Sequence, residues 1–483
     1  MNRGRVWHHK PNMAPTKIFL RYVLAGVFLC TISVQAQPLT SPKITQLERS
    51  ANGWSLTWAH DAPDTEYTVQ FQETLEDGIW RIPQGAKPFP IPGHTWTDLD
   101  AGQAMRFYRV VGVPAAERGN ILSINHDNTA SASLLQVLIN QQGVPITAQY
   151  NVRMYTLVYE TITPMGARTV ASGALFLPEN TGGPLPLVSY QHGTIIEINK
   201  APSALDLTTE ASIGLIMATT GYATVLPDYL GLGDSPGLHP YHHARSEATV
   251  CVDLLRATRT FCATNGFPLN DRLFLTGYSQ GGHATMALCR ELETFHSDQF
   301  PITACAPMAG AYDLSGVTAS DFLSPRTKPN PYYFLYLVGA YQEVYKLAPT
   351  LADLLAPPYN TTLPPLLEGN SSGGQINSAM PANPIEILKP ELLSAFQNNP
   401  RHPLRLALHE NDLYRWRPKS PMRMYHCSGD QDVIIANSQV AHASFQAQGA
   451  TQVELVDPLP GASHGGCAQP AMLAAKAWFD SMR

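Results

Sequence analysis

A glycine–serine–glycine turn between a strand-like and a helix-like segment limits the folds open to this chain of 483 residues. Residues 273–275 are apolar, residues 277–281 read Gly-Tyr-Ser-Gln-Gly, and residues 284–295 have the spacing of an amphipathic helix. A sharp turn from strand to helix favours glycines on both sides, because larger side chains would clash there. The pattern therefore predicts a strand–turn–helix unit that exposes the hydroxyl of Ser279 at one end of a sheet.

From about residue 115 onwards, strand-like and helix-like segments alternate along the chain. The strand-like runs are residues 155–162, 169–177, 185–190, 222–226, 272–276, 302–307, 422–426 and 453–456. We expect residues 246–265 to form a helix with Ser246 as its N-cap, and residues 470–482 to form the final helix. Such alternation predicts an α/β fold with a mainly parallel sheet and helices on both faces.

A long aromatic and proline-rich insertion interrupts this alternation at about residues 317–418. Residues 331–347 have helical spacing, and prolines break the pattern repeatedly after them. We expect the insertion to form a cap over the turn that exposes Ser279. An apolar cap there would favour acyl chains and exclude water.

The segment at residues 37–114 has short strand-like runs and no helical periodicity. The predicted strands are residues 43–49, 54–60, 66–73 and 106–113. In pattern the segment resembles a fibronectin type III domain, which implies a small all-β sandwich in front of the α/β domain at residues 115–483. Two roles remain open for it: a spacer, or attachment to a surface or polysaccharide.

The first 36 residues contain five basic residues, no acidic residue and an apolar run at residues 22–34. This is typical of a signal peptide and predicts cleavage after Ala36 and a secreted or periplasmic protein. Loss of the leader changes the net charge from −6 to −11. The acidic balance argues against a nucleic-acid partner.

The residues needed to activate Ser279 follow it in a suitable order. A serine hydroxyl is a weak nucleophile that needs a base, and the base needs an orienting carboxylate. His464 follows the last predicted strand and is the candidate base. The acid should follow the strand at residues 422–426; Asp430 is favoured, with Asp432 as the alternative and Asp313 as a third candidate.

Acyl transfer also needs donors for a developing oxyanion. The backbone N–H of Gln280, directly after Ser279, is one candidate. The second should lie in residues 191–194, where the N–H of Thr194 is favoured because Gly193 precedes it, and Gly193 is also a candidate. His192 in the same loop is expected to be structural rather than a participant in the chemistry.

Four segments together carry a resemblance to α/β-hydrolases of the secretory lipase and esterase group: residues 191–194, 227–233, 277–283 and 425–430. The resemblance extends from about Val144 to Arg483 and implies hydrolysis of carboxylic esters through an acyl-enzyme, with Ser279, Asp430 and His464 as the triad. It also implies that Asp228 supports its loop and that Tyr229 lines the pocket, for which His192 and Tyr278 are further candidates. Cys427 stands where this family usually has a glycine.

The expected substrate is therefore a small-molecule or lipid ester, and no cofactor is expected. Two other functions remain open. One is a serine peptidase of the same fold that acts near proline or at a free N-terminus. The other is a hydrolase fold used for adhesion, which has no need of all three triad residues.

Six cysteines remain after the leader. Cys427 and Cys467 flank the segments of Asp430 and His464, so a disulfide between them is the favoured pairing. Cys251 and Cys262 are eleven residues apart on one predicted helix. That spacing separates them by about 16 Å, which is too far for a disulfide.

His239, His242 and His243 cluster before the helix predicted at residues 246–265. Such spacing is compatible with metal binding, but no cysteine or carboxylate lies nearby at a convincing ligand spacing. We therefore expect a polar loop and no metal site.

Overall fold

The computed structural model describes residues 40–50, 53–59, 63–75, 79–85, 88–99 and 105–483. The predicted signal peptide lies outside these residues. The strands are β1 (Ile44–Ser50), β2 (Gly53–Trp58), β3 (Thr65–Gln72), β4 (Thr95–Asp98), β5 (Phe107–Pro114), β6 (Ile121–Ala130), β7 (Val152–Ile162), β8 (Arg168–Pro178), β9 (Leu185–Gln191), β10 (Ala223–Pro227), β11 (Leu269–Tyr278), β12 (Ala304–Met308), β13 (Met422–Tyr425) and β14 (Val453–Val456). The helices are α1 (Ala132–Gln141), α2 (Ala211–Thr219), α3 (Ala244–Thr264), α4 (Gln280–Phe295), α5 (Ala319–Leu323), α6 (Tyr332–Tyr345), α7 (Tyr359–Thr362), α8 (Gly373–Ala379), α9 (Pro390–Asn398), α10 (Pro403–Glu410), α11 (Ala436–Ala447) and α12 (His464–Asp480).

A nine-stranded sheet forms the centre of the α/β domain, in the order β14-β13-β12-β11-β9-β10-β8-β7-β6. The strands from β9 to β14 pair in parallel, and β6, β7 and β8 pair in antiparallel fashion at one edge. Side chains alternate between the two faces: Leu273 and Leu275 pack among residues of α3 and α4, whereas Phe274 packs against α12. The predicted fold class is therefore confirmed.

The helices begin earlier than the sequence predicted. His243, not Ser246, is the N-cap of α3, because its ring nitrogen Nδ1 accepts the N–H of Ser246 at 3.3 Å. Helix α4 begins directly after Ser279, and α12 begins at His464. Both candidate catalytic residues thus lie at helix N-termini.

The segment before residue 115 contains two small antiparallel sheets, β1-β2-β4 and β3-β5. Leu56, Trp58 and Val69 lie in its buried core. The resemblance to a fibronectin type III domain and the boundary at residue 114 remain predictions. The segment contacts the rest of the chain: the Thr68 hydroxyl donates to the Met165 carbonyl at 2.5 Å.

The insertion between β12 and β13 contains α5 to α10. Its buried residues form one hydrophobic cluster with Ile79 of the N-terminal segment and with Ile196 and Tyr241 of the α/β domain. Tyr336 of α6 stacks on Tyr241 with ring centroids 4.6 Å apart, and Tyr341 donates to the carbonyl of His242 at 3.1 Å. The insertion therefore packs on the loop that precedes α3. None of the helices in the described part of the chain is long and apolar enough to span a membrane.

Candidate active site

Ser279 lies in the turn between β11 and α4 with a backbone φ of 62° and ψ of −120°, which is strained for a residue with a side chain. Its N–H donates to the Met308 carbonyl at 3.0 Å. A side chain on Gly277 or Gly281 would collide with the backbone oxygen of Gln191. The two glycines therefore permit the tight approach of this turn to the end of β9, as predicted.

A continuous hydrogen-bonded chain joins the three predicted triad residues. His464 Nε2 lies 2.8 Å from Ser279 Oγ, and His464 Nδ1 lies 2.6 Å from Asp430 Oδ2. The Tyr278 hydroxyl donates to the His464 carbonyl at 2.6 Å. This arrangement can pass a proton from the serine to the imidazole while the carboxylate holds the ring.

Asp430 also contacts groups that the sequence did not identify as its partners. Its Oδ1 accepts the N–H groups of Asp432 at 2.9 Å and Val433 at 3.0 Å, and its Oδ2 lies 3.2 Å from Nε2 of His426. Burial alone would raise the pKa of Asp430, but hydrogen bonds from His426 and His464 outweigh burial and lower it to about 2. His426 is the last residue of the predicted strand and precedes Asp430 by four residues. This position is the only feature of the sequence that indicates a contact between the two.

The two alternative acids have other partners. Asp432 accepts the side-chain amide of Asn330, in the cap insertion, at 2.9 Å. Asp313 accepts the N–H groups of Gly316 and Val317 and caps the helical turn at Leu314–Thr318. The structure thus brings Asp430, and neither of these two, to His464.

The predicted disulfide is confirmed. Cys427 and Cys467 are bonded, with Cα atoms 5.8 Å apart. Cys427 precedes Asp430 by three residues, and Cys467 lies in the first turn of α12 behind His464. The bond therefore ties the acid turn directly to the helix that carries the base. The other described cysteines, Cys251, Cys262, Cys289 and Cys305, are buried free thiols.

The predicted donors for an oxyanion differ in their availability. Gln280 is the first residue of α4, so its N–H has no acceptor within the helix. The N–H of Gly193, in contrast, donates to both carboxylate oxygens of Glu210 at 3.0 Å, so this candidate donor already has an acceptor. Thr194 lies next to it, and its hydroxyl is hydrogen-bonded to the Tyr241 hydroxyl at 2.9 Å.

Glu210 was not identified from the sequence. It also accepts the Tyr190 hydroxyl at 2.6 Å. Burial raises its pKa, although the bonds from Tyr190 and Gly193 act in the opposite direction. Glu210 follows Gly193 by 17 residues, and no motif connects the two positions.

The pocket candidates fall into two groups. His192 and Tyr229 are buried, with 0% and 1% of their surface exposed. Tyr229 donates to the His192 carbonyl at 3.1 Å, and burial lowers the pKa of His192 to about 4. Tyr278 lines a cavity of about 520 Å³ together with Glu210 and Met472.

Asp228 supports its loop as the family resemblance implied. It accepts the Ser172 hydroxyl at 2.5 Å and the Ser203 N–H at 2.8 Å. Burial raises its pKa to about 6 even though both bonds act in the opposite direction.

The histidine loop before α3 is buried rather than exposed. His239, His242 and His243 expose 1%, 6% and 4% of their surface, so the predicted polar loop is packed inside the protein. Folding also places Glu247 and His283 beside His242, and one potential ligand atom of each lies within 4.8 Å of the other two. The sequence did not reveal this cluster, because His283 comes from a different helix.

Comparison with known proteins gives matches of both sequence and structure. The profile described as the alpha/beta hydrolase family matches residues 215–476. The rice cell wall degrading esterase LipA from Xanthomonas oryzae is 30% identical, with a TM-score of 0.67 over 76% of this chain and 100% of LipA. A putative hydrolase from Legionella pneumophila is 26% identical, with a TM-score of 0.70 over 75% of this chain and 98% of its own. No curated protein matches the chain.

A more distant match concerns the fold alone. Candida antarctica lipase A in its closed state is 16% identical, with a TM-score of 0.57 over 76% of this chain and 83% of the lipase.

Proposed function

Because the chain belongs to the alpha/beta hydrolase family, we propose that it is an exported serine hydrolase of carboxylic esters. The observation that carries this proposal is the hydrogen-bonded chain from Ser279 through His464 to Asp430. The protein is similar to the whole length of LipA, which is described as an esterase, and this similarity favours esters over peptides as substrates. The substrate is a small-molecule or lipid ester.

In the proposed reaction, Ser279 Oγ attacks the ester carbonyl while His464 Nε2 takes its proton. Asp430 accepts the Nδ1–H of His464 and stabilises the imidazolium that forms. The N–H of Gln280 donates to the developing oxyanion, and the N–H of Thr194 is the candidate second donor. His464 then protonates the leaving alcohol, and water attacks the acyl-enzyme by the same sequence of proton transfers.

Export is part of the proposal, with the leader removed after Ala36. The disulfide between Cys427 and Cys467 supports export, because such bonds persist mainly in oxidising compartments. We further propose that the N-terminal β segment is a fibronectin type III-like module that serves as a spacer or as an attachment to a surface or polysaccharide.

Replacement of the nucleophile tests the proposal. Ser279→Ala should lower kcat on p-nitrophenyl esters by about 10⁴-fold or more, since removal of a triad serine leaves only binding and oxyanion stabilisation. Ser394→Ala, an exposed serine of α9, is the matched control and should retain activity. Turnover of aminoacyl nitroanilides without turnover of esters would support the peptidase alternative instead.

A further inference from the structure

Three buried side chains from different elements meet behind the nucleophile turn. His242 comes from the loop before α3, Glu247 from the first turn of α3, and His283 from the first turn of α4. One ligand atom of each lies within 4.8 Å of the other two. All three are at least nine-tenths buried, with exposed fractions of 6%, 1% and 0%.

Two buried polar atoms, one on His242 and one on Gln280, have no hydrogen-bond partner among the described residues. One is Nδ1 of His242, and the other is Oε1 of Gln280. The amide nitrogen of Gln280 donates to Oε1 of Glu247 at 3.0 Å, so Gln280 belongs to the same network. Unpartnered buried acceptors are uncommon and unfavourable in folded proteins. A cation among these groups would satisfy them.

We propose that His242, Glu247 and His283 bind one zinc ion in a structural site behind Ser279. Two imidazole nitrogens and a carboxylate oxygen form a donor set that zinc prefers, and Gln280 Oε1 is a candidate fourth ligand. The site is distinct from the triad and does not depend on the ester-hydrolase proposal. It would join α3 to α4 directly behind the nucleophile.

The surroundings of His283 suit a metal ligand. Its Nδ1 lies 2.6 Å from Oε2 of Glu247, and its Nε2 lies 3.3 Å from the Asn411 carbonyl. A proton on Nε2, donated to that carbonyl, leaves Nδ1 available for the ion. A carbonyl partner for the distal nitrogen is the usual support of a metal-bound histidine. When zinc binds at Nδ1, the single proton of the neutral ring is therefore carried by Nε2 instead of being donated from Nδ1 to Glu247.

Two neighbouring substitutions test this site. His242→Asn removes the ligand and suits the local backbone, because His242 has a φ of 55° and asparagine tolerates the left-handed region. His243→Asn is the matched control. Asparagine is a good N-cap and should replace His243 at the start of α3. Glu247→Gln provides a second, nearly isosteric variant of the site.

The full chain is produced with a tag that contains no histidine, in zinc-supplemented medium, and desalted. Metal content by mass spectrometry should give one zinc per chain for the wild type and His243→Asn. Folded His242→Asn and Glu247→Gln, checked by circular dichroism, should lose zinc, with affinity reduced by about tenfold or more. Protein loaded with Co²⁺ should show the visible absorption of a four-coordinate ion in the wild type but not in either site variant.

Two results would overturn the proposal. One is a wild-type chain without zinc or the cobalt absorption. The other is equal zinc in the wild type, the site variants and the control, because the ion would then be bound elsewhere. If His242→Asn fails to fold, Glu247→Gln alone decides the outcome.

Discussion

Asp430 in the α/β body is buried and Glu410 in the insertion, the predicted cap, is half-buried, yet the pKa values of the two carboxyl groups shift in opposite directions. Asp430 accepts two backbone N–H groups and faces two histidines, and its pKa is lowered to about 2. Glu410, at the end of α10, faces the side chains of Tyr345 and Gln84 and has no histidine among its partners. Burial raises the pKa of Glu410 to about 7, although Arg245 and Arg81 oppose the shift.

The difference shows that burial alone does not set the charge of an acid. In the body, enough donors surround the carboxylate to keep it ionised beside His464, which the proposed chemistry requires. In the cap, burial outweighs the attraction of Arg245 and Arg81 and the hydrogen bonds of Tyr345 and Gln84, so the pKa of the carboxyl is raised. We therefore expect body substitutions to change the rate most strongly, and cap substitutions to change stability and its pH dependence.

The largest expected effect is on the rate, through Asp430. Asp430→Asn should lower kcat on esters by about 10⁴-fold, because the amide favours the wrong tautomer of His464. Asp432→Asn, in the same turn, is the matched control and should leave kcat nearly unchanged because Asp432 bonds to Asn330 instead. Comparable losses in both variants, measured by steady-state kinetics, would contradict the assignment of the acid.

The disulfide should have the next largest effect, on stability of the body. Cys427 and Cys467 are 40 residues apart. Constraint of the unfolded chain by a loop of this length contributes about 2–4 kcal/mol. Cys427→Ala with Cys467→Ala should lower the free energy of unfolding in guanidinium by that amount. Dithiothreitol should destabilise the wild type but leave the double variant unchanged; an equal response of both would contradict this prediction.

The smallest effect, compared over a single pH unit, is the pH dependence that Glu410 contributes. Its pKa is near 4.3 in an unfolded chain and is raised to about 7 in the folded one. The folded state therefore holds the proton more tightly between these values. The stabilisation is fully present below about pH 4.3 and is lost as pH rises through 7, by at most about 1.4 kcal/mol per pH unit.

Glu410→Gln removes this titration. In thermal melts between pH 4.5 and 8, the Tm of Glu410→Gln should fall less steeply with rising pH than the Tm of the wild type. Glu391→Gln, an exposed position of α9, should keep the wild-type slope. Identical slopes in the wild type and Glu410→Gln would show that Glu410 is ionised in the folded cap, as Asp430 is in the body.

Local patterns made part of the fold and the site predictable. The nucleophile turn, the apolar runs of β9 to β14 and the order of Ser279, Asp430 and His464 all lie in short segments whose chemistry can be read directly. The Cys427–Cys467 disulfide was predictable because each cysteine lies near one of these segments in the sequence. In contrast, β6 was not predicted, since most of its residues are exposed and lack an apolar alternation.

The remaining features depend on contacts between distant segments. Gly193 lies in a segment whose sequence is typical of an oxyanion loop, but in the folded chain its N–H donates to Glu210. His283 follows the nucleophile motif, but its meeting with His242 and Glu247 depends on the packing of α3 against α4. Periodicity along the chain does not encode such pairings.

Covalent labelling measures most directly whether Ser279 is the nucleophile of a working triad. A fluorophosphonate probe should form one adduct per chain, on the peptide that contains Ser279. The adduct should be absent from Ser279→Ala and form far more slowly in His464→Ala and Asp430→Asn, while Asp432→Asn should react at the wild-type rate. An adduct on another residue, or full esterase activity in a chain whose Ser279 stays unlabelled, would contradict the proposed mechanism.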